Sequence, residues 1–191
     1  MRYIIALFSI VVLAGCALRP FGQLKSIETK PDEVIVIGHL KVQDKGKDIT
    51  TETNLFFNEA AWGTYVYRAD TSGYIYTKLK VGENHLARIG HKNRLANIPD
   101  DYATVTLADA AKVYYIGDIS IDVTGMLRTS SGLFGLVGAV AAAGAGGKHV
   151  PIRVTNNPQL AIEYFRTKFP NNKEVVISTL VIKGDTLESV R

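Results

Sequence analysis

Lys112-Val113-Tyr114-Tyr115-Ile116-Gly117-Asp118-Ile119-Ser120-Ile121-Asp122-Val123 is the stretch that decides the fold class. Val113, Tyr115, Ile119, Ile121 and Val123 recur at alternate positions. Lys112, Asp118, Ser120 and Asp122 fall between them, sharing their face with Tyr114 and Ile116. A period of two is the mark of a strand with one face buried and one largely wet. Residues 33–42 contain Val34-Ile35-Val36-Ile37, a β-branched run without alternation. Such a run predicts a strand covered on both faces. Residues 103–107 and a stretch near 85–89 add further short strands. The first follows a loop with Asn97, Pro99, Asp100 and Asp101, the second a turn at 81–84.

Residues 64–69 and 74–79 flank Asp70-Thr71-Ser72-Gly73 and read as a hairpin with a four-residue turn. Pairing Ala69 with Tyr74 places Tyr65, Tyr67, Tyr74 and Tyr76 on one face and Val66, Ile75 and Leu79 on the other. Four tyrosines on one sheet face form either cross-strand packing or a platform for a glycan or peptide.

Downstream, residues 148–154 return to strand character. Asn157-Pro158 supplies a cap and a first-turn proline for a helix, and Leu160, Ala161, Tyr164 and Phe165 share its apolar face. Pro170-Asn171-Asn172 ends the helix. Residues 174–183 read as a last strand. Many short strands, one late helix and no βαβ rhythm predict an antiparallel β-sandwich with one C-terminal α-helix. It occupies residues 32–184, with 185–191 as a tail.

The 191 residues are 47% hydrophobic and 21% charged, enough for one filled core and too apolar for a disordered chain. The net charge of +4 is spread along the chain and shows no nucleic-acid footprint. A single cysteine excludes an internal disulfide.

That cysteine sits at the N-terminal end. Arg2 precedes about a dozen largely apolar residues, the length of a secretion-signal core and short of a spanning helix. Leu13-Ala14-Gly15-Cys16 follows. These four positions resemble the lipobox of bacterial lipoproteins. The resemblance implies cleavage after residue 15 and a diacylglycerol thioether on Cys16, with residues 16–31 as a lipidated tether carrying Pro20, Gly22 and Pro31. Ala17 is similar to the residue found there in outer-membrane lipoproteins, and implies the periplasmic face of an outer membrane. Acyl chains contribute about 0.8 kcal/mol per buried CH₂, so two or three of them anchor firmly. Residues 64–89 and Tyr114-Tyr115-Ile116-Gly117 further resemble uncharacterised bacterial lipoproteins with a transthyretin-like or carboxypeptidase-regulatory-like sandwich. The resemblance implies no catalytic residues.

Residues 131–147 carry no charge and six glycines (132, 135, 138, 144, 146 and 147). As a helix they reach about 24 Å, short of a bilayer core of about 30 Å. A mobile loop, a segment dipping into the bilayer and a contact surface for a partner or second copy all fit. Leu133, Phe134, Leu136, Val137 and Val140 are the contact candidates.

Catalytic patterns are weak throughout. Asp70-Thr71-Ser72-Gly73 has an extra residue before the glycine and no second copy, unlike the paired carboxylates of an aspartic protease. Gly144-Ala145-Gly146-Gly147-Lys148 lacks the spacing and hydroxyl of a phosphate loop. His39, His85, His91 and His149 show no metal-ligand spacing. Asp118 and Asp122 share a strand face about 13 Å apart, too far to share a proton. No Gly-x-Ser-x-Gly elbow supports a hydrolase. The sequence therefore predicts a non-catalytic envelope module without cofactor or metal.

Overall fold

A computed structural model describes residues 24, 26–58, 65–110, 112–129, 150–170 and 174–183. The signal and lipobox, most of the tether, residues 131–147 and the tail lie outside the described residues, as does the side chain of Tyr65.

The run Val34–Ile37 lies in the central strand β1 (Glu33–Asp44), and its four side chains are at most 1% exposed. Strand β2 (Lys47–Asp48) and a short 3₁₀ turn (Thr50–Glu52) lead to β3 (Thr53–Phe57) and β4 (Tyr65–Tyr67). Then come β5 (Tyr74–Lys80), β6 (Gly82–His91), β7 (Arg94–Asn97), β8 (Ala103–Leu107) and β9 (Val113–Asp122). Strands β10 (Arg128–Thr129) and β11 (Ile152–Thr155) flank the uncharged insertion. The helix α1 (Pro158–Lys168), β12 (Val175–Ile177) and β13 (Val181–Ile182) follow.

Two sheets stack with α1 on the outside of one of them. The first contains β1, β2, β5, β9, β11 and β12, and the second β3, β4, β6, β7, β8, β10 and β13. A mainly β sandwich with a single helix is thus the observed class. Within it, the pairing is not antiparallel throughout: β1–β9 and β12–β9 are parallel. The chain between β1 and β9 runs through the second sheet, so a parallel pair forms without any βαβ rhythm in the sequence. Val34, Val36, Leu40 and Val42 of β1 enter the core between the sheets, while Ile35 and Ile37 enter a second cluster beneath the helix. Coverage from both sides is why the run does not alternate.

The helix begins at Pro158 as expected, but the Asn157 side chain makes no capping bond. Ala161 and Phe165 pack on Ile35, Ile37, Val113 and Tyr115. Leu160, expected on the same face, is 66% exposed. Leu160 lies next to Ala161, but the face that meets the sheet is centred on the i, i+4 pair Ala161 and Phe165.

Three expectations fail for one reason, the movement of the chain between sheets. The 64–69 and 74–79 segments do not pair: β4 joins β3, and β5 joins β1. Turn 70–73 therefore crosses between layers. The turn placed at 81–84 is a second crossing, since β6 already starts at Gly82. There the buried Asn84 donates to the carbonyls of Lys80 (2.9 Å) and Gly82 (3.0 Å). Residues 174–183 split into β12 and β13, one in each sheet.

The alternation of β9 also breaks. Ile37 pairs with Tyr115, but His39 pairs with Asp118, so β9 spends one extra residue. That is a β-bulge. Gly117, at φ +113, takes up the bend, and a Cβ there would collide with Val154 Cγ1. Before the bulge, Val113 and Tyr115 face the helix. After it, Ile119, Ile121 and Val123 face the inter-sheet core. The five residues read as one face therefore serve two.

Candidate functional site

The crossing turn places Asp70 between the first sheet and α1, with its side chain only 6% exposed. Its Oδ1 accepts the backbone N–H groups of Ser72 (2.9 Å) and Tyr74 (3.0 Å). Its Oδ2 accepts the hydroxyls of Tyr76 (2.9 Å) and Tyr164 (2.7 Å), and Lys168 Nζ stands 3.4 Å away. Lys168 also donates to the Tyr76 hydroxyl at 3.0 Å. Its ammonium lies 5.1 Å from the Tyr164 ring centroid and 5.3 Å from that of Tyr76. Burial, the largest single influence, pushes the Asp70 carboxyl upward. The bonds from Tyr164, Tyr76, Tyr74 and Ser72 outweigh it together and hold the group below the ordinary carboxylate range. The Tyr76 and Tyr164 hydroxyls hold the Lys168 ammonium well above its usual range. Five donors leave Asp70 no role as a free acid or base. It clasps the helix to the turn.

The four tyrosines do not form one face. Tyr67 lies between the sheets, 6.2 Å from the Phe57 ring, and its hydroxyl donates to the Lys78 carbonyl. Tyr76 is buried on the opposite side of the first sheet, beneath α1. Tyr74 stacks on Tyr164 at 4.1 Å. Tyr65 pairs with Phe57 in the second sheet. The platform needed β4 and β5 side by side, and the crossing at Asp70 separates them.

The helix covers only part of the first sheet. Past the bulge, the outer face is polar, and register sets it in rows. Lys41, Ser120 and Arg153 lie side by side on β1, β9 and β11, and all three are exposed. Gln43 and Asp122 form the next row. Their neighbours Leu40, Val42, Ile119, Ile121 and Ile152 point into the inter-sheet core, which fixes the outward direction of the polar set. This face, with Tyr102 and Pro151, lines a cavity of about 470 Å³. Asp122 accepts the Thr124 N–H at 2.9 Å, and the bonds from Thr124 hold its carboxyl below the usual range. Asp118 shares the strand face with Asp122, as expected. It accepts the Tyr115 hydroxyl at 2.9 Å, while burial pushes that phenol well above its ordinary range.

His39, His85 and His91 are dispersed. His39 packs on Tyr74 with ring centroids 5.0 Å apart. His85 pairs with Asp100 at 3.4 Å, and His91 sits between Glu52 (3.2 Å) and Arg94 (3.3 Å). Among the described residues, no group of three His, Cys, Asp or Glu side chains is placed to hold a metal ion. No described helix is long and apolar enough to cross a membrane. Cys16 and the 133–140 contact candidates lie outside the described residues. The sequence reading missed the partners of Asp70. The available signal was Tyr164 and Lys168, four apart on one helix face.

No protein-family model matches the chain, and no curated protein matches it. Among solved structures, a DUF3823 family protein from Parabacteroides merdae is similar over 53% of this chain and 48% of its own. The identity is 14% and the TM-score 0.24, so this chain matches about half of that neighbour's length.

Proposed function

We propose that the chain is a lipid-anchored protein of the bacterial envelope, facing the periplasm, whose sandwich is a non-catalytic binding or scaffold module. The observation that carries this reading is Leu13-Ala14-Gly15-Cys16, with the only cysteine of the chain at the acylated position. The geometry supports the non-catalytic part. Asp70, a buried carboxylate at which side chains of β5 and the helix meet backbone N–H groups of its own turn, is saturated by five donors and ties the helix down. Residues 131–147 are the second contact, with membrane or partner. They leave β10 at an edge of the second sheet and return into β11 of the first. Tyr67 packs between the sheets while Tyr74 and Tyr76 pack beneath the helix, which does not support a single tyrosine platform.

The test is mass spectrometry of the protein from bacterial membranes, beside a Cys16→Ser variant. The expected wild-type product starts at Cys16 and carries acyl chains, and the variant retains residues 1–15. A wild-type product without acyl mass removes the anchor and the envelope assignment with it.

A further inference from the structure

We propose that the open polar face of the first sheet binds an anionic glycan, a sugar chain bearing carboxylate groups. This names a ligand for the binding-module reading and rests on it, but not on acylation at Cys16.

Ser120 pairs with Lys41 on one side and Arg153 on the other, so a hydroxyl stands between two cations on three adjacent strands. Two strand spacings separate Lys41 from Arg153, about 10 Å at the backbone. Both side chains are long enough to converge on a single anionic group above Ser120. Neither cation has a hydrogen bond or ion pair among the described residues. Lys41 feels the Asp48 carboxylate from a distance, but Asp48 is itself engaged by the Thr50 N–H at 2.8 Å.

The next row selects among anions. Gln43 offers an amide, and the Asp122 carboxylate, held by Thr124, offers a fixed acceptor. A carboxylate beside two cations favours a ligand that itself donates hydrogen bonds. A sugar carries several hydroxyls that do so, whereas a sulfate or a doubly ionised phosphate ester group has none and inorganic phosphate has only one or two. The volume of about 470 Å³ accommodates a small ligand or a few sugar units. Acid group to Lys41 and Arg153, and hydroxyls to Gln43, Ser120 and Asp122, describe a uronic-acid chain better than a lipid tail or a peptide strand.

The experiment is titration calorimetry on the full chain in a non-ionic detergent. The probes are a galacturonic acid tetrasaccharide, the same tetrasaccharide with its carboxyls reduced, and inorganic phosphate. The acidic tetrasaccharide is expected to bind. Lys41→Gln and Arg153→Gln are each expected to weaken it about tenfold, as loss of a charge-assisted bond does. Lys47→Gln, an exposed cation on β2, is expected to change nothing. Unchanged melting temperatures keep folding out of the comparison, since all three side chains are exposed. The proposal is overturned if the acidic tetrasaccharide does not bind, or if its reduced form binds as well. Equal binding of phosphate, or unchanged affinity in both variants, overturns it too.

Discussion

Asp70 shows what one buried charge does when every lone pair is used. An unpaired carboxylate in this position would cost several kcal/mol, and the five donors around it offset that cost. Asp70→Ala strands the Tyr76 and Tyr164 hydroxyls and frees the end of the turn. The expected loss is about 3 kcal/mol of stability, measured by urea unfolding at pH 7. The acid dependence follows from the depressed carboxyl. Its stabilisation is fully present above the ordinary carboxylate pKa of about 4. It is lost as pH falls through the lower folded value. Stability measured from pH 6 downward should therefore fall less steeply in Asp70→Asn than in the wild type. Little of this was legible beforehand. Asp70-Thr71-Ser72-Gly73 announces a turn through its residue types. The partners Tyr164 and Lys168 come from a helix far along the chain; their i, i+4 spacing puts them on one helix face but does not say which distant residue that face meets.

At the scale of elements, the strands were easier to read than their neighbours. The Val34–Ile37 run, the 103–107 strand and the Pro158 helix start follow from local chemistry, and each stands where its residues put it. Pairing did not follow. Two strands joined by a short turn read as a hairpin, yet Tyr67 and Tyr76 are both buried and each needs its own layer. The bulge in β9 was equally hidden, because a glycine in a strand is ambiguous until its φ is known. That bulge now makes a sharp test. Gly117 has a backbone conformation that L side chains rarely adopt, with Val154 close behind it, and a Cβ on the facing Gly38 would meet the Gly117 carbonyl oxygen at 2.8 Å. Gly117→Val should cost about 2–4 kcal/mol or prevent folding. The same change at Gly46, which has open space around it but also a positive φ, should cost less. Thermal melts of the two variants decide the order.

For the whole molecule, the sandwich class was legible from strand density, while the open polar face depended on three strands meeting in register. Deleting residues 131–147 tests how independent the sandwich is. The expected outcome is a melting temperature within a few degrees of the full chain, with membrane or partner retention reduced. A collapse of the melt would make the segment part of the core instead. One feature of the topology bears on how such a protein is made. The central strand β1 is formed early in synthesis, but its parallel neighbour β9 is encoded far downstream, after most of the second sheet. Contacts so distant in sequence form slowly. Until β9 arrives, the Val34–Ile37 run is paired with β5 on one flank and open on the other. Under the export proposed for this chain, that delay leaves β1 without its parallel partner until Val113–Asp122 has passed through the translocation channel.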